Sequence, residues 1–315
     1  MPDYKHTKED LKIMQNWSLA RKINVAQTRI MEWYFRHEGK CYVAFSGGKD
    51  SMVLLFLARR CFPDIPAVFV DTGLELPSVR QFALSQPNVT VVKPKMRFDE
   101  VVREYGWCYP SKDVATTIYY ARKGSAWAIN RLNGVKEDGT PSPYRQRIYA
   151  KWKHLLHSDF KISAVCCRIM KEQPLNKYVK ETGNQPIIGT MATESERRKQ
   201  AWLQTGCNSF DSNRPVSKPL SFFTEQDILR TLRDYDIPFA DAYGDIIADK
   251  KGHLSLTGEK RTGCAFCPVS CHLDKVNRFQ RLKQTHPKLY DYVIYDLGLA
   301  GLLDFVGVDY GREGA

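Results

Sequence analysis

The sequence lacks any uncharged stretch of about 18 residues, the length that a membrane-spanning helix needs. Its first residues also lack the apolar run of a signal peptide. Acidic residues are outnumbered, because 35 Asp and Glu face 47 Lys and Arg, which gives a formal net charge of +12. The first two absences predict a cytoplasmic protein with no membrane partner. The charge favours a polyanionic partner, although it does not choose among nucleic acid, nucleotide and an anionic surface.

What is present indicates a folded enzyme-sized chain. The 315 residues are 43% hydrophobic, which is ordinary for a globular protein. The nine cysteines are an odd number for a disulfide framework, and several are clustered. In a protein without an export signal, clustered cysteines indicate metal binding or redox chemistry.

Short apolar runs alternate with helical patterns from Cys41 onward. Alternation of this kind predicts an α/β fold, with a doubly wound and mostly parallel sheet and helices on both faces. The predicted strands are Cys41 to Phe45, Ala67 to Val70, Val89 to Val92 and Pro186 to Gly189. Helices are predicted after the first strand as far as Arg60, after Pro77, and from Thr224 to Leu232.

The chain divides by sequence character into three predicted domains and one insertion. Residues 1–38 read as a helical leader, 39–235 as the nucleotide-binding α/β domain, and 236–315 as a cysteine-rich, helical C-terminal region. Residues 112–161 form a predicted helical insertion with ten Lys and Arg against four Asp and Glu. Its cations alternate with aromatic residues, namely Tyr119, Tyr120, Trp127, Tyr144, Tyr149 and Trp152. That mixture is typical of single-stranded nucleic-acid binding, or of a solvated basic helix face above a packed aromatic one.

One short motif follows the first predicted strand and precedes an apolar helix. It is Phe45-Ser46-Gly47-Gly48-Lys49-Asp50-Ser51. Two glycines let backbone N–H groups close on a phosphate, the serines add donors, and the lysine and the helix N-terminus add positive charge. The spacing is not that of the Walker loop. The motif therefore predicts a different kind of phosphate site.

The motif resembles the pyrophosphate loop of the adenine-nucleotide α-hydrolase superfamily, whose members split ATP between the α and β phosphates. Three further segments, Val70 to Glu75, Gly189 to Arg198 and Pro219 to Ile228, look like the phosphoadenosine phosphosulfate (PAPS) reductase family. The resemblance implies that nucleotide is bound by Ser46, Gly47, Gly48, Lys49, Asp50, Ser51, Asp71, Thr72 and Gly73. It implies catalytic roles for Lys49, Asp50, Ser51, Arg197, Arg198 and Cys271, with Mg²⁺ near Asp50 or Asp71.

The clustered cysteines resemble the cluster-binding set of the adenylyl-sulfate reductase branch of this family. Cys166, Cys167, Cys264 and Cys267 would then hold a [4Fe–4S] cluster, although four cysteines also suit zinc. Cys271 is either a fifth candidate ligand or a free reactive thiol. Arg261, His272 and Lys275 could lower a thiol pKa there, or be surface charge. Cys41, Cys61, Cys108 and Cys207 are most simply packed thiols.

Three functions follow from the resemblance. The first is ATP-dependent sulfur insertion into nucleic acid, since the loop is complete and resembles that of the ATP-using subunit of DNA phosphorothioation and of cluster-dependent tRNA thiolases. DNA or tRNA would be the acceptor, a cysteine desulfurase would donate sulfur, and a homodimer is compatible. The second is reduction of PAPS or adenylyl sulfate, against which the sequence shows no reductase-like Cys motif near Ala315. The third is a non-catalytic nucleotide-sensing or nucleic-acid-binding regulator.

Overall fold

The computed structural model describes residues 5–142 and 151–312. Its helices are α1 (Lys8–Gln15), α2 (Leu19–Arg36), α3 (Lys49–Cys61), α4 (Pro77–Ser85), α5 (Phe98–Tyr105), α6 (Lys112–Ala121), α7 (Ala126–Leu132), α8 (Gln173–Thr182), α9 (Glu196–Thr205), α10 (Glu225–Asp234), α11 (Arg278–Thr285), α12 (Pro287–Asp291) and α13 (Leu299–Phe305). The strands are β1 (Cys41–Phe45), β2 (Ala67–Val70), β3 (Val89–Val92), β4 (Gln185–Ile188), β5 (Asn208–Ser209), β6 (Val216–Ser217), β7 (Ile246–Ala248) and β8 (Leu254–Leu256).

Six strands form one sheet in the order β3-β2-β1-β4-β6-β5. All neighbouring pairs are parallel except β5 and β6 at one edge. β7 and β8 form a separate antiparallel pair. The predicted α/β class with a mostly parallel sheet is therefore confirmed, and the order reverses direction between β1 and β4. Ligands of such sheets bind beyond the carboxyl ends of the strands at that reversal.

The elements next to this reversal of strand order are buried in the core. β1 is almost wholly buried, and it lies between β2 and β4. α3, which follows β1, buries an apolar run from Met52 to Leu55. Lys22 of α2 is also buried, and its ammonium lies 2.6 Å from the Asp227 carboxylate of α10. A buried pair of this kind is costly to break, because the remaining charge would lose its partner.

The chain forms two compact units, each made of two segments. The first unit contains residues 1–93 and 174–263, and the second contains 94–173 and 264–315. The six-stranded sheet and the predicted pyrophosphate loop belong to the first unit. The boundaries predicted after residues 38 and 235 mark changes in sequence character, and they stay predictions.

The second unit is mainly helical within the described residues. The predicted insertion holds α6, α7 and a 3₁₀ helix from Lys153 to His157. Trp152 is buried, whereas Tyr144 and Tyr149 lie outside the described residues. A Cβ on Gly106 would lie 1.8 Å from the Lys161 carbonyl oxygen, so this close crossing admits only glycine.

Candidate functional site

The loop between β1 and α3 is held in shape by its own hydroxyl groups. Ser51 Oγ accepts a hydrogen bond from the Ser46 backbone N–H at 3.2 Å and donates one to the Gly48 carbonyl oxygen at 2.8 Å. The two serine hydroxyls lie 3.1 Å apart. The loop is therefore organised by contacts within itself, as a preformed anion cradle requires.

Glycine is the residue type that fits at position 47. Its φ of +72° lies in the left-handed region, and a Cβ there would lie 2.8 Å from the Val79 carbonyl oxygen. The other close approach is made by Gly189, just after β4, where a Cβ would lie 3.0 Å from the Asp50 carbonyl oxygen. The end of β4 thus lies directly against the start of α3. This places the predicted segment from Gly189 to Arg198 beside the loop.

Lys49 is buried at the start of α3, with only 3% of its surface exposed. Its ammonium lies 3.3 Å from Asp50 Oδ1 and 3.7 Å from Glu225 Oε1. Tight charged pairs have distances of about 2.7–2.9 Å, so both contacts are loose. Asp50 Oδ1 is itself buried without a hydrogen-bond partner. The loop thus holds a buried cation with only partial compensation, and it has capacity for an incoming anion.

Tyr243 joins the loop from a distant part of the first unit. Its hydroxyl accepts a hydrogen bond from the Lys49 backbone N–H at 3.1 Å and lies 2.6 Å from Thr262 Oγ1. Burial raises the pKa of Tyr243, which keeps the hydroxyl neutral. This oxygen occupies one of the amide donors at the N-terminus of α3. The first-turn donors of a helix are the groups that bind phosphate oxygens.

The predicted residues Asp71, Thr72 and Gly73 follow β2, next to the loop that follows β1. Both oxygens of Asp71 accept from the Arg80 guanidinium at 2.8 Å, and this hydrogen bonding lowers the pKa of Asp71. Thr72 Oγ1 donates to Glu75 at 2.7 Å and accepts from the Leu74 N–H at 3.1 Å. The segment is thus tied into its own turn. A role for Asp71 in binding nucleotide or Mg²⁺ stays a prediction.

The two predicted arginines are both exposed on α9 but differ in their contacts. Arg198 pairs with Glu194 and interacts with Asp50, while desolvation and the neighbouring Arg261 lower its pKa. Two guanidinium groups that repel each other are relieved when an anion binds between them. Arg198 is therefore the predicted arginine that the structure brings toward Asp50, and Arg261 lies near Arg198.

The second unit gathers six thiols from three segments. Cys166 forms side-chain hydrogen bonds with Cys167 and Cys108, and Cys267 interacts electrostatically with Cys264 and Cys167. Cys271 interacts with Cys267 in the same way. The structure thus brings the four predicted ligands into one neighbourhood and adds Cys108 and Cys271 to them. The six residues are called the thiol group below.

The donor chemistry of the thiol group fits an iron–sulfur cluster or zinc, since both take four thiolates. Among residues 5–142 and 151–312, however, no three His, Cys, Asp or Glu side chains are arranged to hold a metal ion. Lys112 contributes a cation, because its side chain hydrogen-bonds Cys167. The choice of ligands therefore stays a prediction.

Burial favours the protonated form of two of these thiols, Cys267 and Cys271. It raises the pKa of Cys271 to about 12 and also raises the pKa of Cys267. Arg278 opposes this shift at both residues, and its guanidinium donates to the Cys264 carbonyl oxygen at 3.1 Å. Whether neighbouring charges lower a thiol pKa here stays a prediction, and at Cys271 the effect of burial is larger than that of Arg278. The catalytic role of Cys271 itself stays a prediction.

One family model matches part of this chain. Residues 40–123 match the model described as the phosphoadenosine phosphosulfate reductase domain. The matched span includes the whole loop from Ser46 to Ser51 and also Asp71. The predicted family resemblance is confirmed for residues 40–123.

Two curated proteins are similar to this chain in sequence. Two uncharacterized proteins of Methanocaldococcus jannaschii, MJ0066 and MJ0973, are 26% and 25% identical over 79% and 83% of this chain. The matches cover 39% and 49% of those proteins, so the chain spans less than half the length of the curated relatives it matches.

Two solved structures are similar at low TM-scores. A PAPS reductase from Candida auris in a phosphate complex has a TM-score of 0.39 at 15% identity, over 78% of this chain and 97% of that one. The U34-tRNA thiolase NcsA from Methanococcus maripaludis with its [4Fe-4S] cluster has a TM-score of 0.37 at 14% identity, over 94% and 84%. At such scores, the fold assignment rests on the sheet order described above.

Among the helices of the described residues, none combines the length and the apolar character that crossing a bilayer requires.

Sequence reasoning missed several residues of both sites. Tyr243, Thr262 and Glu225 carry no local signal that connects them to the loop, because they reach it only through the fold. Cys108 was assigned as a packed thiol, although its position between Trp107 and Tyr109 set it apart from the other isolated cysteines. No signal in the sequence connects it to Cys166.

Proposed function

We propose that this protein cleaves ATP to AMP and pyrophosphate, and thereby activates an acceptor in nucleic acid for sulfur transfer. One observation supports this function above the others. The complete loop from Ser46 to Ser51 is preformed at the N-terminus of α3 and contains a buried, loosely paired Lys49. Such a loop is suited to pyrophosphate, a leaving group of several negative charges.

The residues of the loop would act when the α–β bond of ATP breaks. An acceptor oxygen attacks the α-phosphorus, and the departing pyrophosphate takes the bonding electrons. Lys49 and the N–H groups of α3 would stabilise the charge that develops on this leaving group. Arg198 and Arg261 would add guanidinium donors from the opposite segment. The acceptor then bears AMP, which is a better leaving group than the original oxygen.

Asp50 and Asp71 are the candidate residues for a divalent cation. Asp50 would hold Mg²⁺ through its carboxylate, whose Oδ1 atom has no hydrogen-bond partner and lies 3.3 Å from the Lys49 ammonium. Asp71 would need to exchange Arg80 for the ion, since both of its oxygens are occupied. When bound, Mg²⁺ would neutralise phosphate charge.

The thiol group would provide the second half of the activity. Cys166, Cys167, Cys264 and Cys267 would hold a [4Fe–4S] cluster, with Cys271 as an alternative ligand. When bound, such a cluster would supply a site for the sulfur that replaces AMP on the acceptor. Lys112 would balance thiolate charge next to Cys167. A cysteine desulfurase is the class of partner that would deliver this sulfur.

Reduction of PAPS or adenylyl sulfate is the second candidate, and the family match favours it directly. The complete pyrophosphate loop argues for the first candidate, since these sulfonucleotides have no β,γ-pyrophosphate to cradle. A non-catalytic regulator would use the same loop to sense nucleotide.

One experiment distinguishes these candidates. Anaerobically purified protein is incubated with ATP and Mg²⁺, with and without single-stranded DNA or tRNA, and pyrophosphate is measured. Parallel reactions with PAPS or adenylyl sulfate and a thiol reductant are assayed for sulfite. Pyrophosphate release that nucleic acid stimulates supports the proposal. Sulfite formation without ATP cleavage supports the reductase, and nucleotide binding with neither product supports the regulator.

A further inference from the structure

Three aromatic rings lie side by side at the turn between α6 and α7. The ring centroids of Tyr119 and Tyr120 are 5.3 Å apart, and those of Tyr120 and Trp127 are 5.7 Å apart. Tyr120 is 43% exposed and Trp127 is 39% exposed. Tyr119, Tyr120 and Trp127 are called the three-ring surface below. Large aromatic side chains stabilise a fold most when they are buried, so two adjacent exposed rings indicate a binding surface.

The helices below the rings are firmly packed, so the surface has a fixed support. Ala121, Ala128 and Leu132 are buried. Arg122 donates hydrogen bonds to the carbonyl oxygens of Leu155, Leu156, Ser158 and Phe160. This arginine is therefore occupied with fixing the turn. The rings beside it are held in place before any partner arrives.

A cation stands at one end of the three-ring surface. The Lys123 ammonium lies 2.6 Å from the Tyr119 hydroxyl and 4.2 Å from the centroid of the Tyr119 ring. Lys123 is exposed. An exposed ammonium beside exposed aromatic rings complements the phosphates of a nucleic-acid strand whose bases lie on the rings.

A pocket of about 360 Å³ opens at the other end, against Trp127. Its polar lining includes Asn130, Lys136, Glu137 and Ser142. The volume falls in the range of small-molecule pockets, roughly 300–1,000 Å³. Amide, hydroxyl and charged groups beside an indole ring can hydrogen-bond the edge of a base whose face stacks on that ring.

We propose that the three-ring surface and its pocket bind unpaired bases of a single-stranded nucleic acid. Tyr120 and Trp127 stack against successive bases, Lys123 contacts a phosphate, and the pocket takes a base edge. Duplex bases are already stacked and paired, so their faces are not available to these rings. The choice of nucleic acid as partner rests on the proposed function, but the surface is tested without ATP.

The test measures fluorescence anisotropy of labelled 12-nucleotide probes, namely single-stranded oligo(dT), oligo(U) and a DNA duplex. We expect Tyr120→Ala and Trp127→Ala each to weaken single-strand binding about five- to a hundredfold. Lys123→Gln should weaken it less and reduce the slope of log affinity against log salt by about one. Comparing the two single strands tells whether DNA or RNA is preferred.

Tyr235→Ala is the matched control, because Tyr235 is an aromatic residue of the first unit that is 41% exposed. It should bind like the unchanged protein. Trp127→Phe keeps an aromatic face for stacking and should retain most of the affinity. This variant tests the role of the ring even if Trp127→Ala folds poorly. Circular dichroism and thermal melting monitor folding in every variant.

Three results would overturn the proposal. The first is unchanged single-strand affinity in both alanine variants. The second is equal binding of duplex and single strands, which would mean that phosphates alone are recognised. The third is a dimer that Trp127→Ala dissociates, which would assign the surface to a second copy of this chain.

Failure of the proposed function gives a different result. If the unchanged protein binds single strands through the three-ring surface but releases no pyrophosphate, the binding proposal is supported and the proposed ATP-cleaving activity is rejected. If the unchanged protein releases pyrophosphate and nucleic acid stimulates this release less in Trp127→Ala, both stand.

Discussion

The pyrophosphate loop takes its shape from six consecutive residues, whereas the thiol group is assembled from segments around Cys108, Cys166 and Cys264. In the loop, Ser46 and Ser51 hydrogen-bond within five residues of each other. In the thiol group, Cys108 and Cys166 are neighbours only because the second unit folds. The comparison teaches that a contiguous site can be shaped by local hydrogen bonds, while a distributed site depends on long-range packing for its existence.

The two sites also differ in how they treat charge. The loop keeps Lys49 buried and only loosely paired, so it is prepared for an anion. In the thiol group, the hydrogen bond with Cys108, followed by burial, raises the pKa of Cys166 to about 12 and so favours its protonated form. A metal must displace those protons before thiolates can bind it, so metal loading should weaken as the pH falls. The loop is organised before a ligand binds, whereas the thiol group would become a metal site only when metal binds.

The largest expected effect tests the first site alone. Lys49→Ala should reduce pyrophosphate release about 10²- to 10³-fold, because an electrostatic contact with the leaving group is lost. Iron content and visible absorbance should not change. Lys180→Ala, which removes an exposed lysine of α8, is the control. A Lys49→Ala protein with an ordinary rate would show that the loop does not bind the departing pyrophosphate.

The next prediction tests the second site alone. Cys166→Ser and Cys267→Ser should each lose most of the iron bound by anaerobically prepared protein, measured by elemental analysis and by absorbance near 400 nm, because a ligand is removed. Cys207→Ser, a buried thiol of the first unit, should keep it. If the protein contains zinc instead of iron, a zinc site takes the place of the cluster in the proposed function. Full metal content in both variants would remove these residues from the ligand set.

A smaller effect should sharpen the account of the loop. Tyr243→Phe keeps the ring but removes the oxygen that accepts from the Lys49 N–H. Because that oxygen competes with a phosphate for one donor, the variant should bind ATP about fivefold more tightly, as measured by calorimetry. Tyr235→Phe should leave the affinity unchanged. Weaker ATP binding in Tyr243→Phe would mean that the hydroxyl supports the loop instead of competing with its ligand.

The smallest effect concerns Asp71. Hydrogen bonding to Arg80 lowers its pKa in the folded protein, so ionised Asp71 stabilises the fold above its unfolded pKa of about 3.9. That stability is lost as the pH falls through the lower, folded pKa. Arg80→Gln should therefore cost about 1 kcal/mol of unfolding free energy at pH 7, since Arg80 is partly exposed, and less below pH 3.

The measurement for Asp71 is urea unfolding of both proteins across this pH range, with Arg233→Gln as a surface control. An Arg80→Gln penalty that does not shrink in acid would contradict the assignment of the pKa shift to this pair.

The same contrast explains how much could be predicted. Strands β1 to β4 and the loop follow from local periodicity and glycine placement, and the structure has them within a residue of the predicted bounds. Tyr243 lies 194 residues from Lys49, so no local pattern could connect them. The gathering of Cys108 with Cys166 likewise depends on the folding of the second unit, where α5 packs against Val165–Cys167. The sequence shows that Cys271 has charged neighbours, but the burial that raises its pKa is a property of the folded chain.

The sheet order has a consequence for synthesis of the chain. β1 hydrogen-bonds β2 on one side and β4 on the other, and β4 begins about 140 residues after β1 ends. At about 5–20 residues per second, the ribosome needs roughly 7–28 s to reach β4. During that time one edge of β1 has no strand beside it, and such edges readily pair with other chains. The first unit can complete its sheet only after the whole first segment of the second unit has been made, so the nascent protein is exposed to aggregation during this interval.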